Sequence, residues 1–203
     1  MELVNSTKLS LNELIPPVSL FSHHGTLHDR RHIGRVLINA WMLLDLLQKK
    51  EYTIPLWATV YLHDIAREHD GVSYHHGQDA IDKLDANSDL QSFLQDVGIA
   101  DEDWPAIRSA VSYHSWPHSL EPERTHEYWM LIAMLKDADA LDRIRIGDMN
   151  PNLLRFPESR WLVPFAISLY HRTKDMDGTD ENLFTEFWQI AQELIPTIKE
   201  IAV

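Results

Sequence analysis

An all-α bundle in a single domain is the architecture this sequence calls for. Apolar residues recur at helical spacing over long segments and almost nowhere alternate with polar ones for the length of a strand. Seven glycines and ten prolines are few enough to punctuate those segments without breaking them up. The 203 residues suit one hydrophobic core, since single cores stop growing only beyond about 250 residues.

The first helix opens at Asp29 and places Ile33, Val36, Leu37, Ala40, Leu43, Leu44 and Leu47 on one face. It closes near Lys49 and Lys50, where cations suit a helix C-terminus. A second helix begins at Pro55, a good first-turn residue, and runs through Trp57, Val60, Tyr61 and Ile65 to Arg67. Gly71, Gly98, Pro117 and Gly147 then separate helices expected at about 75 to 86, 89 to 97 after Ser88, 101 to 115 and 122 to 145. Two further helices, about 158 to 173 and 180 to 201, are rich in Trp161, Phe165, Leu169, Leu183, Phe184, Phe187, Trp188 and Leu194. Thr179 or Asp180 is the expected cap of the last, and Pro196 would kink it. These two helices should pack onto a core spanning about residues 28 to 145, and their aromatic faces could form the two-fold contact of a homodimer.

Composition excludes several kinds of chemistry. No cysteine is present, so disulfides, thiolate metal sites and cysteine nucleophiles are ruled out, and any metal must be held by histidine and carboxylate. The first residues lack a basic segment followed by an apolar run, and no stretch of about 18 apolar residues occurs, so a cytoplasmic location without a membrane partner is expected. The net charge of −13 opposes binding to long nucleic acid. A small phosphorylated molecule is still open to it, because a metal ion and a few local cations can invert the potential inside one cleft.

The residues that carry chemistry fall in a distinctive order. His32 lies on the first helix, His63 and Asp64 sit side by side on the second, and Asp139 follows within Lys136-Asp137-Ala138-Asp139-Ala140. Side chains from separate helices of a bundle can converge on one ion. Two imidazoles and two carboxylates suit divalent first-row metals and leave coordination positions open for water and substrate.

This order resembles the HD-domain superfamily of metal-dependent phosphohydrolases, whose core is a His, an adjacent His-Asp and a distant Asp. His32-Ile33-Gly34-Arg35-Val36 is similar to the family's first ligand segment, His63-Asp64-Ile65-Ala66-Arg67 to its second, and Lys136-Asp137-Ala138-Asp139-Ala140-Leu141-Asp142 to its third. The resemblance covers about residues 28 to 145 and implies metal ligands at His32, His63, Asp64 and Asp139. It implies a divalent ion (Mn, Fe, Ni, Co, Mg or Zn), one or two per chain. His76 matches a family histidine that either touches the substrate phosphate or joins a second metal, and His114 has the same two roles open to it. Arg67 stands where many relatives carry lysine, and His114 is single where some binuclear members have paired histidines.

The implied reaction is hydrolysis of a phosphate ester, a small phosphomonoester or a nucleotide. Asp64 would bind metal and steer the attacking water, with His76 and Arg67 beside it. Arg35 and Arg67 lie three residues after His32 and Asp64, and Lys136 three before Asp139, so each cation can share its ligand's helix face and clamp phosphate. A plain ion pair is the competing reading for all three. Arg143 and Arg145 are weaker candidates, and His28 could orient a ligand or touch substrate. Two other functions fit the same residues: a di-iron oxygenase using His32, His63, Asp64, His76, His114 and Asp139 as six ligands, and a nucleotide-sensing module without turnover.

Overall fold

The computed structural model describes residues 9–120 and 122–201, with side chains up to Ile195, and no strand forms among them. Helix α1 spans Arg30–Leu47 and is capped by Asp29, whose carboxylate accepts the backbone N–H of Arg31 and His32. It ends where Gln48 turns left-handed at φ 54°. Residues 32–40 are buried without a break, so α1 is a central helix rather than one with a single buried face. Helix α2 (Thr53–Leu62) packs on it, and every residue from Pro55 to Arg67 is buried.

His63 and Asp64 were expected inside the second helix; they lie in the turn just past its end. After His63 N–H donates to Thr59, the chain switches to tighter three-residue bonds, from Ile65 to Leu62 and from Arg67 to Asp64. The freed carbonyl of Ile65 is taken by the backbone N–H of Ser22 at 2.9 Å and the ammonium of Lys83 at 3.2 Å. Tertiary partners therefore end this helix where no glycine or proline does.

Helices α3 (His76–Asp85), α4 (Ser88–Val97) and α5 (Trp104–His114) follow close to their expected spans. Asn87 caps α4 by accepting Leu90 N–H, and α5 is preceded by a 3-10 turn at Asp101–Asp103. Helix α6 (Trp129–Asp142) starts seven residues later than the expected 122. Its approach is an irregular loop in which His126 Nδ1 accepts Tyr128 N–H and Arg124 lies over the Trp129 ring.

The helix expected at 158 to 173 is two, α7 (Pro157–Trp161) and α8 (Val163–Thr173). Pro164 explains the break, since it has no N–H to offer the carbonyl of Arg160. Helix α9 (Leu183–Ile201) continues past Pro196, whose side chain lies outside the described part. Its cap differs from expectation: Asp180 accepts Asn182 N–H, while Asn12, from the start of the chain, accepts Thr185 N–H and hydroxyl. Trp41 of α1 meets Phe184 and Trp188 of α9 edge-on at 5.8 and 5.6 Å, which seats the C-terminal helices on the core. Among the described residues no helix is long and apolar enough to cross a membrane.

Candidate metal centre

Helix ends bring the chemistry together. His32 comes from the first turn of α1, His63 and Asp64 from the turn after α2, His76 from the first residue of α3, His114 from the last of α5, and Asp139 from the last turn of α6. Asp64 is at the middle. Its Oδ2 lies 3.3 Å from His32 Nε2 and 3.7 Å from His63 Nε2, and its Oδ1 lies 3.2 Å from His76 Nε2 and 3.7 Å from His114 Nε2. Asp139 closes the first side, with Oδ1 3.4 Å from His32 Nε2. His32, His63 and Asp139 form one group that could hold a metal ion, and Asp64, His76 and His114 form another.

The four imidazoles are oriented by their other nitrogen. Nδ1 of His63, His76 and His114 donates to the carbonyls of Val60, Ser73 and Val111 at 2.8, 2.9 and 2.5 Å. A carbonyl can only accept, so these rings carry hydrogen on Nδ1 and, when neutral, a lone pair on Nε2. Two such nitrogens face each other at 2.8 Å in the His76–His114 pair and at 3.2 Å in the His32–His63 pair. Lone pairs this close require a positive charge between or beside them. Burial resists supplying it by protonation, pushing His63 down to about 3 and lowering His114 as well. His32 moves the other way: burial and Arg145 disfavour its cation, but Asp142 and Asp64 prevail and raise it. Burial likewise opposes charge on Asp139, yet His32, Arg145 and His63 hold its carboxyl well below the usual range. The donor set fits one or two divalent cations.

Asp142, which carried no role in the sequence reading, orients His32. Its Oδ2 accepts His32 Nδ1–H at 2.8 Å, and Arg35 Nε donates to its Oδ1 at 2.6 Å. Asp142 lies one helical turn beyond Asp139, on the same side of α6. Replacing Asp142 by asparagine is expected to weaken metal binding about 10- to 100-fold, the usual cost of removing a ligand's hydrogen-bond partner. Competition against a chelator of known affinity measures it, and unchanged affinity would mean that His32 is placed without this carboxylate.

The expected phosphate clamps are held by other partners. Arg35 is buried, bonded to Asp142 and stacked on Tyr170 at 5.3 Å, so it supports the centre from behind. Lys136 is buried and donates to the carbonyls of Tyr113, His114 and Trp116, closing the C-terminus of α5. Lys136→Met is therefore expected to cost about 1–3 kcal/mol in thermal unfolding while leaving manganese affinity unchanged; a lowered affinity with intact stability would place Lys136 at the metal centre instead. Arg67 stays close, its Nη1 3.9 Å from Asp64 Oδ1 and within 2.8 and 3.1 Å of the two ring nitrogens of His76. Because His76 Nδ1 carries the hydrogen given to Ser73, the only ring nitrogen that can accept from Arg67 is Nε2, the one that also faces Asp64. His28 Nδ1 meets Asp64 Oδ2 at 2.7 Å, where it orients that carboxylate. Of the two aspartates in Asp137-Ala138-Asp139, Asp137 faces away and accepts the N–H of Arg155 and Phe156 and the hydroxyl of Ser159.

The chain is thus an all-helical protein with a buried His/Asp cluster that could bind metal. No protein-family model, curated protein or solved structure matches it.

Proposed function

We propose that the chain is a metal-dependent phosphohydrolase of the HD type, acting on a small phosphomonoester or nucleotide. The single observation that carries this reading is Asp64, a buried carboxylate with each oxygen turned toward a different pair of imidazole Nε2 atoms. A cation held on either side, by His32 and His63 or by His76 and His114, would find one oxygen of Asp64 turned toward it. The ordered His32, His63-Asp64 and Asp139 segments support the family, and the −13 charge argues for a small substrate met at a local site.

A divalent ion held here supplies Lewis acidity and activates water at neutral pH. The chain's own residues do the remaining work. Asp64, fixed by His28, sets the line of attack. Asp139 keeps 24% side-chain exposure and His28 keeps 13%, whereas His32 and His63 keep none, so substrate approaches past Asp139 and His28. Arg67 is the cation nearest the His76 side and offers charge to phosphoryl oxygens.

Elemental analysis coupled to a phosphate-release screen tests the proposal. Chelator-stripped protein, resupplied in turn with manganese, cobalt, nickel, iron or magnesium, should release phosphate from at least one nucleotide or sugar phosphate. Silence with every metal would remove the hydrolase reading, and a fully active His63→Ala protein would remove the assigned site. The convergence of all six side chains also favours a second reading, a di-iron oxygenase. Two irons per chain with oxygen-dependent cleavage of a polyol or phosphonate would establish that one instead.

A further inference from the structure

A cavity of about 450 Å³ opens where the N-terminal turns, the first turn of α1, the end of α2 and the start of α4 meet. Its walls include Ile15, Leu20, Leu90 and the tilted ring pair of Tyr61 and Phe93, 5.6 Å apart, which make an apolar and aromatic body. Its polar groups are mostly donors. Arg30 is 7% exposed, gives two hydrogen bonds from Nη1 to the carbonyls of Gly178 and Asp180, and has no partner at Nε. Among the described residues no carboxylate forms a close ion pair with it, although Asp180, Asp29 and Glu181 act on its charge from farther away. Tyr61 is 4% exposed, and its hydroxyl has no protein partner among the described residues.

Two side-chain amides complete the set. Asn12 spends its oxygen on Thr185, and Asn87 spends its oxygen on the α4 cap, so each has its NH2 left to donate. We propose that this cavity binds a small monocarboxylate with an apolar or aromatic body, its oxygens accepting from Arg30, Tyr61, Asn12 and Asn87. A carboxylate has about four lone-pair sites, which matches these four donors. The walls also include Glu13 and Asp89, two negative charges against the one guanidinium, so the carboxylate must be held by directed hydrogen bonds rather than by net charge, and a phosphate dianion is opposed more strongly. Arg30 and Tyr61 each stand two residues before a histidine of the metal cluster, hence on the opposite side of α1 and α2. The site is separate from the metal centre and backs onto it, and the volume lies within the range of ligand pockets.

Phenylacetate is the probe, titrated calorimetrically into the metal-loaded chain beside phenylacetamide and inorganic phosphate. Phenylacetate should bind at least about tenfold more tightly than either, as expected for a charge-assisted contact. Asn87→Asp keeps the cap on α4, since Asp and Asn cap equally well, but replaces a donor with a negative charge. It should weaken phenylacetate at least about tenfold without changing metal content, and Tyr61→Phe should weaken it by a smaller factor. Absence of phenylacetate binding, equal binding of the amide, tighter binding of phosphate, or undiminished binding to Asn87→Asp would each overturn the proposal. The last would place the carboxylate on the metal centre.

Discussion

Asp64→Asn protein is expected to lose both halves of the metal centre at once. The amide keeps the volume of the carboxylate but removes one negative charge and one acceptor oxygen. Whichever way it turns, its NH2 points hydrogen at one imidazole pair, either His32 and His63 or His76 and His114. Affinity for manganese should fall about a hundredfold or more, beyond the 10- to 100-fold cost of disturbing a mere supporting group. Thermal scanning provides a readout free of any assumed substrate. At manganese a hundred times its dissociation constant, binding stabilises a folded protein by about 2.7 kcal/mol, roughly 5–11 °C for a chain of this size. That shift should fall to about 0.4 kcal/mol or less in Asp64→Asn, roughly 1–2 °C at most. In His114→Ala it should shrink less, because the His32, His63 and Asp139 group is untouched. An Asp64→Asn protein with the full manganese shift would show that manganese is held without Asp64 and that this carboxylate is not the shared ligand.

The contrast between Asp64 and the cations around it explains how much the sequence disclosed. His32, His63, Asp64, His76, His114 and Asp139 were legible because their chemistry is scarce and their order specific, and they meet within one cluster. The helical segments were legible because periodicity reports a buried face, as in α9, although in α1 burial extends all round the helix from residue 32 to 40. The end of α2 was not, because its stop signal is Ser22 and Lys83 closing on Ile65 from elsewhere in the chain. The partners of Arg35 and Lys136 were not legible for the same physical reason. A long cation reaches several directions from one backbone position, and its choice depends on acceptors remote in sequence: Asp142, 107 residues from Arg35, and carbonyls about 20 residues from Lys136. Asp142 itself was hidden among neighbouring aspartates whose spacing alone does not say which one holds a histidine.

Gly77→Ala should show how the second half of the centre depends on backbone contact. Gly77 follows His76 in α3, and a methyl there would stand 2.2 Å from the carbonyl oxygen of Val111, 2.9 Å from that of Ser112 and 3.1 Å from His114 Nδ1. The first two are main-chain atoms of α5 and cannot rotate away, so α3 and α5 must separate. Overpacking of a close-packed contact costs about 1–3 kcal/mol and more where backbone must move; about 3 kcal/mol, or roughly 6–12 °C in Tm for this length, is expected. The same carbonyl of Val111 fixes the ring of His114 at 2.5 Å, and His76 meets His114 at 2.8 Å. Metal held by that pair should therefore be lost while the group of His32, His63 and Asp139 retains its own. Elemental analysis below the melting transition reads this directly: about half the wild-type metal per chain if two ions bind, with the fold intact by circular dichroism. Wild-type Tm together with wild-type metal content would mean that α3 and α5 can yield, and that the approach of His76 to His114 is not set by the missing side chain.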